Sequence, residues 1–283
     1  MANIVCLSPL KIYDSLSKQN HRKSYAYGNV SPLVMKLGVI DAFQFCLCND
    51  DHITDIYLVD AKTDRTTLDI TSYMEENGFT VQNTNGIYVA TYPGVKPIPS
   101  IMQEGEYYLR LKSNLDAEYV SEVFSFSNNT DGYLELKYSN DETFSIKDGL
   151  VDLNDIEFII RVKSEIGKPE YKFEEEATKR LGYSFIESQV SSKIYKFNAI
   201  MPEYLCDALR LVRLCSKRKI VSGEDEYEPI TFDMSVEWQE QGDLASVTCE
   251  FQTDNVIVRL GTPEYHVDRG DFNSDYDPLD FSR

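Results

Sequence analysis

The sequence contains very few of the residues on which most catalytic centres depend. Its 283 residues include three histidines, which are His21, His52 and His266. Because a catalytic triad needs a nucleophile, a base and an orienting group close together, this wide spacing does not favour catalysis by histidine. The chain also has no G-x-G-x-x-G, P-loop, G-x-S-x-G or H-E-x-x-H motif. We therefore expect that the protein is not an enzyme and has no catalytic residues.

Long apolar runs and positive charge are also scarce. No apolar run approaches the roughly 20 residues of a membrane helix, and the N-terminus lacks the features of a cleaved signal peptide. The chain has 47 acidic and 28 basic residues, a net charge of −19. Such a charge repels phosphate backbones and anionic membranes. We expect no membrane anchor, no direct wrapping of nucleic acid, and synthesis and retention in a cytoplasm unless export needs no cleaved signal.

Cysteine is infrequent, and its spacing does not indicate a metal site. The six cysteines are scattered among mostly apolar neighbours, which in a reducing compartment is typical of small core residues. Cys46 and Cys48 lie two positions apart, but no second pair of cysteines or histidines follows at zinc spacing. The aspartates near the C-terminus lack the glycine and closing glutamate of an EF-hand. We expect no metal and no cofactor.

The sequence does contain a repeated strand pattern and enough apolar surface for a core. Hydrophobic residues make up 42% of the chain and aromatic residues 12%. Phe43, Phe45 and Leu47 point to one side of a predicted strand, because successive side chains of a strand alternate. Further short strands follow, separated by turns and without long helices between them. This pattern predicts an antiparallel β-sandwich over residues 31–127.

Residues 128–261 are predicted to form a second β-sandwich-type domain with one helix. Pro202 suits the first helical position, and the apolar residues after it fall on one helical face. We therefore predict a packed amphipathic helix over about residues 202–216. The run Lys217-Arg218-Lys219 follows it, where the helix dipole favours cations. The predicted fold class is mainly β, with two antiparallel β-sandwich-type domains.

Strand patterns continue after this helix. Apolar residues alternate with polar ones from Ile230 to Trp238 and again over 245–251, which predicts a long hairpin with one buried face. Residues 256–258 predict a separate last strand, whereas residues 171–181 have a helical composition. Trp238 is expected to pack in the core or at a sheet edge; the alternative is an interface or sugar-stacking residue.

The two ends of the chain carry opposite charges. Residues 1–30 contain four basic residues and one acid, and residues 262–283 contain six acids and two arginines. These compositions predict an extended arm outside the core and an acidic tail. Unlike surfaces of this kind suit contacts between successive subunits, which form rings when the rotation closes. The predicted subunit-interface residues are Lys18, Arg22, Lys23, Tyr25, Tyr27, Asp271, Asp275 and Asp277.

Several segments between about residues 101 and 260 resemble tail-associated structural proteins of phages and prophages of gut Bacteroidetes, including crAss-like phages. The segments are 104–111, 121–124, 167–171, 173–176, 202–209 and 237–245. The resemblance implies a virion component of the tail, such as a hub, baseplate or tail-tip protein, with a β-sandwich and one packed helix. It implies as partners other copies of the chain and other tail proteins, after synthesis in the host cytoplasm. It implies no catalytic residues.

These features are compatible with three functions. The first is a structural tail protein that forms a ring or connector with neighbouring subunits. The second is a carbohydrate-binding or adhesin module on a phage tail, which predicts aromatic residues gathered on one exposed face. The third is a glycoside hydrolase, which predicts a deep cleft with paired acids of shifted pKa. The run Glu174-Glu175-Glu176 is more typical of a solvated face than of such a pair.

Overall fold

The computed structural model describes residues 5–6, 8–15, 33–47, 52–84, 87–94, 96–98, 100–101, 103–140, 150–151, 156–180, 183–238 and 244–259. Within these residues the protein is mainly β, with antiparallel sheets and two helices. This confirms the predicted fold class. The division into two sandwich domains with an arm and a tail stays a prediction.

The strands and helices of the described residues are numbered in chain order. The strands are β1 (Val5–Cys6), β2 (Ile12–Asp14), β3 (Leu33–Lys36), β4 (Phe43–Leu47), β5 (Ile53–Asp60), β6 (Arg65–Asp69), β7 (Thr80–Thr84), β8 (Ile87–Tyr92), β9 (Gly105–Ser113), β10 (Glu118–Ser121), β11 (Phe124–Ser127), β12 (Tyr133–Ser139), β13 (Leu150–Val151), β14 (Phe158–Lys163), β15 (Glu170–Arg180), β16 (Tyr183–Pro202), β17 (Lys217–Ser222), β18 (Asp225–Tyr227), β19 (Thr231–Trp238) and β20 (Leu244–Arg259). The helices are α1 (Thr71–Glu76) and α2 (Glu203–Val212).

The described residues fall into two compact units. Unit 1 takes those of Met1–Pro169 and Tyr195–Thr253, and unit 2 takes those of Glu170–Ile194 and Asp254–Arg283. Strands β16 and β20 therefore each contribute residues to both units. A large cluster of buried apolar side chains in unit 1 includes residues from Leu10 to Phe251.

Strand β9 is the centre of a seven-stranded sheet in unit 1. It pairs antiparallel with β5 along one side and with β10 and β11 along the other. Strand β2 extends the sheet beyond β10, β6 extends it beyond β5, and β3 extends it beyond β11 in a parallel pairing. Leu109 and Leu111 of β9 face the large core, whereas Tyr108 packs with Val59 and Val120. One face of β9 is therefore buried along its length, whereas on the other face Tyr108 is buried and Glu106 and Lys112 are exposed.

The position of Leu10 differs from the expectation that residues 1–30 form an arm outside the core. Its side chain is fully buried in the large cluster of unit 1. The reason is the neighbouring strand β2, whose pairing with β10 holds this part of the chain against the sheet. Burying an apolar side chain of this size stabilises a fold by about 1.5–3 kcal/mol.

Two further sheets of unit 1 follow the alternation of apolar and polar residues. One has the strand order β14-β12-β17-β18, and the other has the order β4-β8-β7. In β12, Leu134, Leu136 and Tyr138 are buried, whereas the residues between them are partly exposed. This alternation places one face of β12 on the core, as expected for a strand with one solvated face.

Helix α2 confirms the amphipathic helix, but it ends at Val212 instead of near residue 216. Ala208 and Leu209 are fully buried on its apolar face. The run Lys217–Lys219 belongs to β17, where it pairs with Lys137–Ser139 of β12. These residues gain backbone hydrogen bonds from the sheet, which a continued helix would not allow.

Two other predicted elements are wrong for a similar reason. Residues 171–180, which have a helical composition, form β15, and each is paired with a residue of β16. Residues 256–258 are not a separate strand but the continuation of β20. Helix propensities differ by less than about 1 kcal/mol per residue, so the pairing of a long neighbouring strand decides the conformation.

One hydrogen bond ties α2 to the seven-stranded sheet. The Tyr204 hydroxyl accepts a hydrogen bond from the backbone N–H of Leu33 at 3.1 Å, and both residues are buried. We expect Tyr204→Phe to lower the free energy of unfolding by about 1–2 kcal/mol, because the buried N–H loses this acceptor. Urea unfolding followed by circular dichroism measures the loss. Tyr171→Phe is the matched control, since its ring is 62% exposed; equal losses in both variants would contradict the prediction.

Candidate interaction surfaces

The residues assigned to a subunit interface from the sequence lie outside the described part of the chain. These are Lys18, Arg22, Lys23, Tyr25, Tyr27, Asp271, Asp275 and Asp277. His21, His266, Cys48 and Asp268 lie outside it as well. The structure therefore neither brings these residues together nor separates them, and the interface they were assigned to stays a prediction.

Other residues considered for chemistry are described. His52 is exposed in a loop, and its backbone N–H donates to Asn114 Oδ1 at 2.9 Å. Cys46 is half-buried on β4, and Glu174–Glu176 are exposed on β15. Within the described ranges, no group of three or more His, Cys, Asp or Glu residues is arranged to hold a metal ion.

A buried ion network joins strands from both halves of the chain. The Arg161 guanidinium on β14 donates to the Asp41 carboxylate, to the Val34 carbonyl at 3.1 Å and to Glu135 Oε1 at 3.0 Å. Lys36 Nζ contacts the same Glu135 oxygen at 2.9 Å. The side chains of Arg161 and Asp41 are each 2% exposed. The network therefore links β3 and the segment just before β4 to β12 and β14, with Lys36 half-exposed at its edge.

The pKa values in this network follow from burial and the enclosed charges. Burial raises the pKa of Asp41, although Arg161 opposes the rise. Burial also acts to raise the pKa of Glu135, but the hydrogen bond from Lys36 and the charge of Arg161 outweigh it and lower that pKa. The pKa of Arg161 is raised, because its two carboxylate partners outweigh the effect of burial. Arg161 is thus a charge partner of both acids, whereas the partly exposed Glu135 is also paired with Lys36.

An apolar groove lies between α2 and β19 in unit 1 and has a volume of about 380 Å³. Alternate residues of β19 line it, and their exposure increases along the strand. Phe232 is 2% exposed, Met234 and Val236 are half-buried, and Trp238 is 51% exposed. This α2–β19 groove is therefore closed at the Phe232 end and open to solvent at Trp238.

The opposite side of the α2–β19 groove is polar. Arg210 and Arg213 are both exposed on α2; Arg210 contacts Asp207 at 3.6 Å, and Arg213 contacts Asp233 at 2.7 Å. Cys206 also lines the groove. Burial raises the pKa of its thiol to about 11, so the nucleophilic thiolate is scarce at neutral pH. The groove combines an apolar floor with a rim of exposed guanidinium groups.

A second groove of about 510 Å³ is lined by four basic and two acidic residues. These are Lys137, Lys217, Arg218, Lys219, Glu157 and Glu228. Lys219 Nζ lies 2.6 Å from Glu226 Oε2, and Arg218 donates to the Ile230 carbonyl at 3.1 Å. Because these cations already contact groups of their own chain, this basic groove offers less attraction to an acidic partner than its composition suggests.

Unit 2 contains a long hairpin formed by β15 and the first part of β16. Every residue from Tyr171 to Ala177 is exposed. Tyr171 is 62% and Phe173 73% exposed. Glu175 Oε1 accepts a hydrogen bond from Gln189 Nε2 at 2.6 Å across the two strands. Because side chains two positions apart share a face, Tyr171, Phe173 and Glu175 form one surface, here called the aromatic face.

The chain was compared with protein-family models and with curated proteins. Neither the protein-family models nor the curated proteins include a match for this chain. No helix in the described residues combines the length and apolarity needed to cross a membrane.

Sequence reasoning missed the aromatic face and the α2–β19 groove. Tyr171 and Phe173 stand two positions apart and alternate with Lys172 and Glu174, which is the period of a strand. This alternation indicates a strand, but the helical composition of the segment was given more weight. The interpretation of Trp238 was partly right: it lies on an edge strand among the described residues, where β19 pairs with β20, yet half of its surface is exposed.

Proposed function

We propose that this chain is a structural subunit of a bacteriophage tail that assembles with other copies of itself and with neighbouring tail proteins. The observation that carries the proposal is the exposed aromatic face of the β15–β16 hairpin. Clustered apolar side chains on a protein surface are typical of interaction sites. The proposal assigns the chain no catalytic residue and no cofactor.

The energetics of the aromatic face favour a partner. Burying a phenylalanine side chain against another surface is favourable by about 1.5–3 kcal/mol, and tyrosine is among the residues that dominate binding energies at interfaces. Strand β15 is an edge strand of the four-stranded sheet β15-β16-β20-β19 in the described part of the chain. A neighbouring subunit that covers Tyr171 and Phe173 would therefore stabilise the hairpin and hold the two subunits together.

The phage tail enters the proposal through the sequence resemblance. Its segments fall on elements that fit a scaffold: residues 104–111 lie largely on β9, the central strand of the seven-stranded sheet, and residues 203–209 lie on α2. The mainly β fold with one packed amphipathic helix agrees with what the resemblance implies. These features support a tail subunit.

A carbohydrate-binding module is the second candidate, because it predicts exposed aromatic residues such as those of the aromatic face and the half-exposed Trp238. A half-exposed tryptophan beside the polar groups of Asp207 and Arg210 can stack on a sugar ring while those groups bind hydroxyls. On this reading, the isolated protein binds host glycans and Trp238→Ala abolishes the binding. A glycan array probed with the full chain and with this variant tests it.

The native mass of the purified chain tests the leading proposal. We expect light scattering after size exclusion to show a mass that rises with concentration to a multiple of 32.5 kDa, with closed particles in electron micrographs. The reason is that exposed aromatic surface favours association by mass action. A monomer at every accessible concentration that binds glycans would contradict the proposal and favour the second candidate.

A further inference from the structure

We infer that the aromatic face of the hairpin docks into the α2–β19 groove of a second copy of this chain. The inference rests on the proposed function, because it names the two surfaces through which the subunits would assemble. Both surfaces are made of described residues, and their apolar content, charge and length match. The hairpin and the groove are different surfaces, so the contact is heterologous.

The apolar parts of the two surfaces complement each other. The hairpin presents Phe173 and Tyr171 at 73% and 62% exposure, and the groove presents Trp238 at 51% exposure beside the half-buried Met234 and Val236. Offset or edge-to-face packing of aromatic rings adds about 0.5–1.5 kcal/mol to the gain from burial. Docking would thus remove from water three of the most exposed aromatic side chains in the described part of the chain.

Charge sets the orientation of the contact. Glu175 lies on the aromatic face beyond Phe173, and Arg210 and Arg213 form the rim of the groove. Although they contact Asp207 and Asp233 of their own chain, the two arginine side chains are 66% and 67% exposed, so their guanidinium groups can also attract a carboxylate from another copy. Such pairs at the edge of an interface fix its register and raise the rate of association more than its strength.

The dimensions of the two surfaces agree. Strands rise about 3.3 Å per residue, so Tyr171 to Glu175 spans about 13 Å and Phe232 to Trp238 spans about 20 Å. The aromatic face therefore fits along the groove. The basic groove is less suited to this face, because it lacks the row of alternating apolar side chains that β19 supplies to the α2–β19 groove.

The heterologous geometry determines which assemblies can form. Each copy offers one hairpin and one groove, so successive copies join head to tail. Such contacts give rings when the rotation between subunits closes and filaments when it does not. A closed ring is the form expected of a subunit in a tail.

The sole tryptophan of the chain is Trp238, and its fluorescence reports directly on the groove. In the full-length protein, we expect its emission to shift to shorter wavelength as concentration rises and the groove fills. Tyr171→Ser with Phe173→Ser should abolish this shift and weaken association by about 30-fold or more, the size expected for removing dominant interface residues. Sedimentation velocity measures the association in parallel.

Matched controls separate this interface from other surfaces. Lys172→Ser changes the opposite face of the same strand, and Leu115→Ser removes a 59% exposed apolar side chain elsewhere. Both variants should associate as the unaltered chain does. Circular dichroism and thermal unfolding verify that each variant is folded.

Charge reversal provides the sharpest test. Glu175→Arg in one variant and Arg210→Glu with Arg213→Glu in another should each reduce association by about tenfold. An equimolar mixture should restore it, because every hairpin then meets a groove of opposite charge on the other variant. Restoration depends on the predicted pairing, whereas a general loss of stability would not be repaired by mixing.

The outcomes distinguish this inference from the proposed function. If the unaltered chain assembles but the hairpin variant assembles equally well, or the mixture restores nothing, the inference is wrong and the assembly proposal stands. If the unaltered chain remains a monomer, both fail. A Trp238 shift caused by glycans and not by concentration would assign the groove to a sugar and overturn the inference.

Discussion

Replacing Arg161 by methionine is expected to lower the free energy of unfolding by about 3–5 kcal/mol. The guanidinium contacts Asp41 and Glu135 and donates to the Val34 carbonyl. Its removal leaves Asp41 2% exposed and without its cation. Breaking a buried pair by removing one partner is costly because the remaining charge cannot return to water. Urea unfolding followed by circular dichroism measures the loss.

Two variants control this experiment. Lys163→Met removes an exposed cation at the end of the same strand and should change the free energy of unfolding by less than about 0.5 kcal/mol. Asp41→Leu combined with Arg161→Met removes both members of the pair. It should recover part of the loss, because apolar residues can replace a buried ion pair. If Arg161→Met alone is as stable as the unaltered protein, the network does not hold the sheets together.

Gly94→Ala is expected to lower the free energy of unfolding by about 2–5 kcal/mol, because backbone strain and steric overlap add. The glycine has a φ of +69°. Residues with a Cβ are destabilised in this left-handed conformation. A Cβ at this position would lie 2.4 Å from the backbone nitrogen of Ala42 and 2.8 Å from the carbonyl carbon of Asp41. The backbone that carries Asp41 would have to move, which also disturbs its contact with Arg161.

Gly132→Ala is the matched control for this substitution. Gly132 has a φ of +77°, but a Cβ there meets nothing within 4 Å. It therefore tests the backbone cost without the steric overlap, and a loss of about 1–2 kcal/mol is expected. Thermal and urea unfolding of both variants measure the difference. Equal losses would mean that the close approach of Gly94 to residues 41 and 42 does not contribute.

The elements predicted correctly are those whose local pattern agrees with their tertiary contacts. The alternation from Phe232 to Trp238 and from Ala245 to Phe251 predicts a hairpin, and β19 and β20 pair in that register. The apolar stripe after Pro202 predicts α2, since one face of the helix needs a core to cover it. The helical interpretation of residues 171–181 was wrong because this segment pairs with the neighbouring strand β16.

The candidate interaction surfaces could be predicted only in part. The sequence identifies Trp238 as a possible interface residue, and the spacing of Tyr171 and Phe173 has the period of a strand. It does not show that these three rings are exposed. Exposure depends on whether another element covers the strand, and the covering residues can come from anywhere in the chain.

The sequence by itself determined the fold class and the charge of this protein. A period of two along most segments predicts strands, and the acidic excess follows from composition alone. Only the tertiary structure decided which strands have an uncovered face, and that Asp41, Glu135 and Arg161 meet in one buried network. Those features depend on contacts between residues up to 120 positions apart, which no local pattern encodes. The physical reason is that burial and charge pairing are properties of packed neighbours, whereas periodicity is a property of consecutive residues.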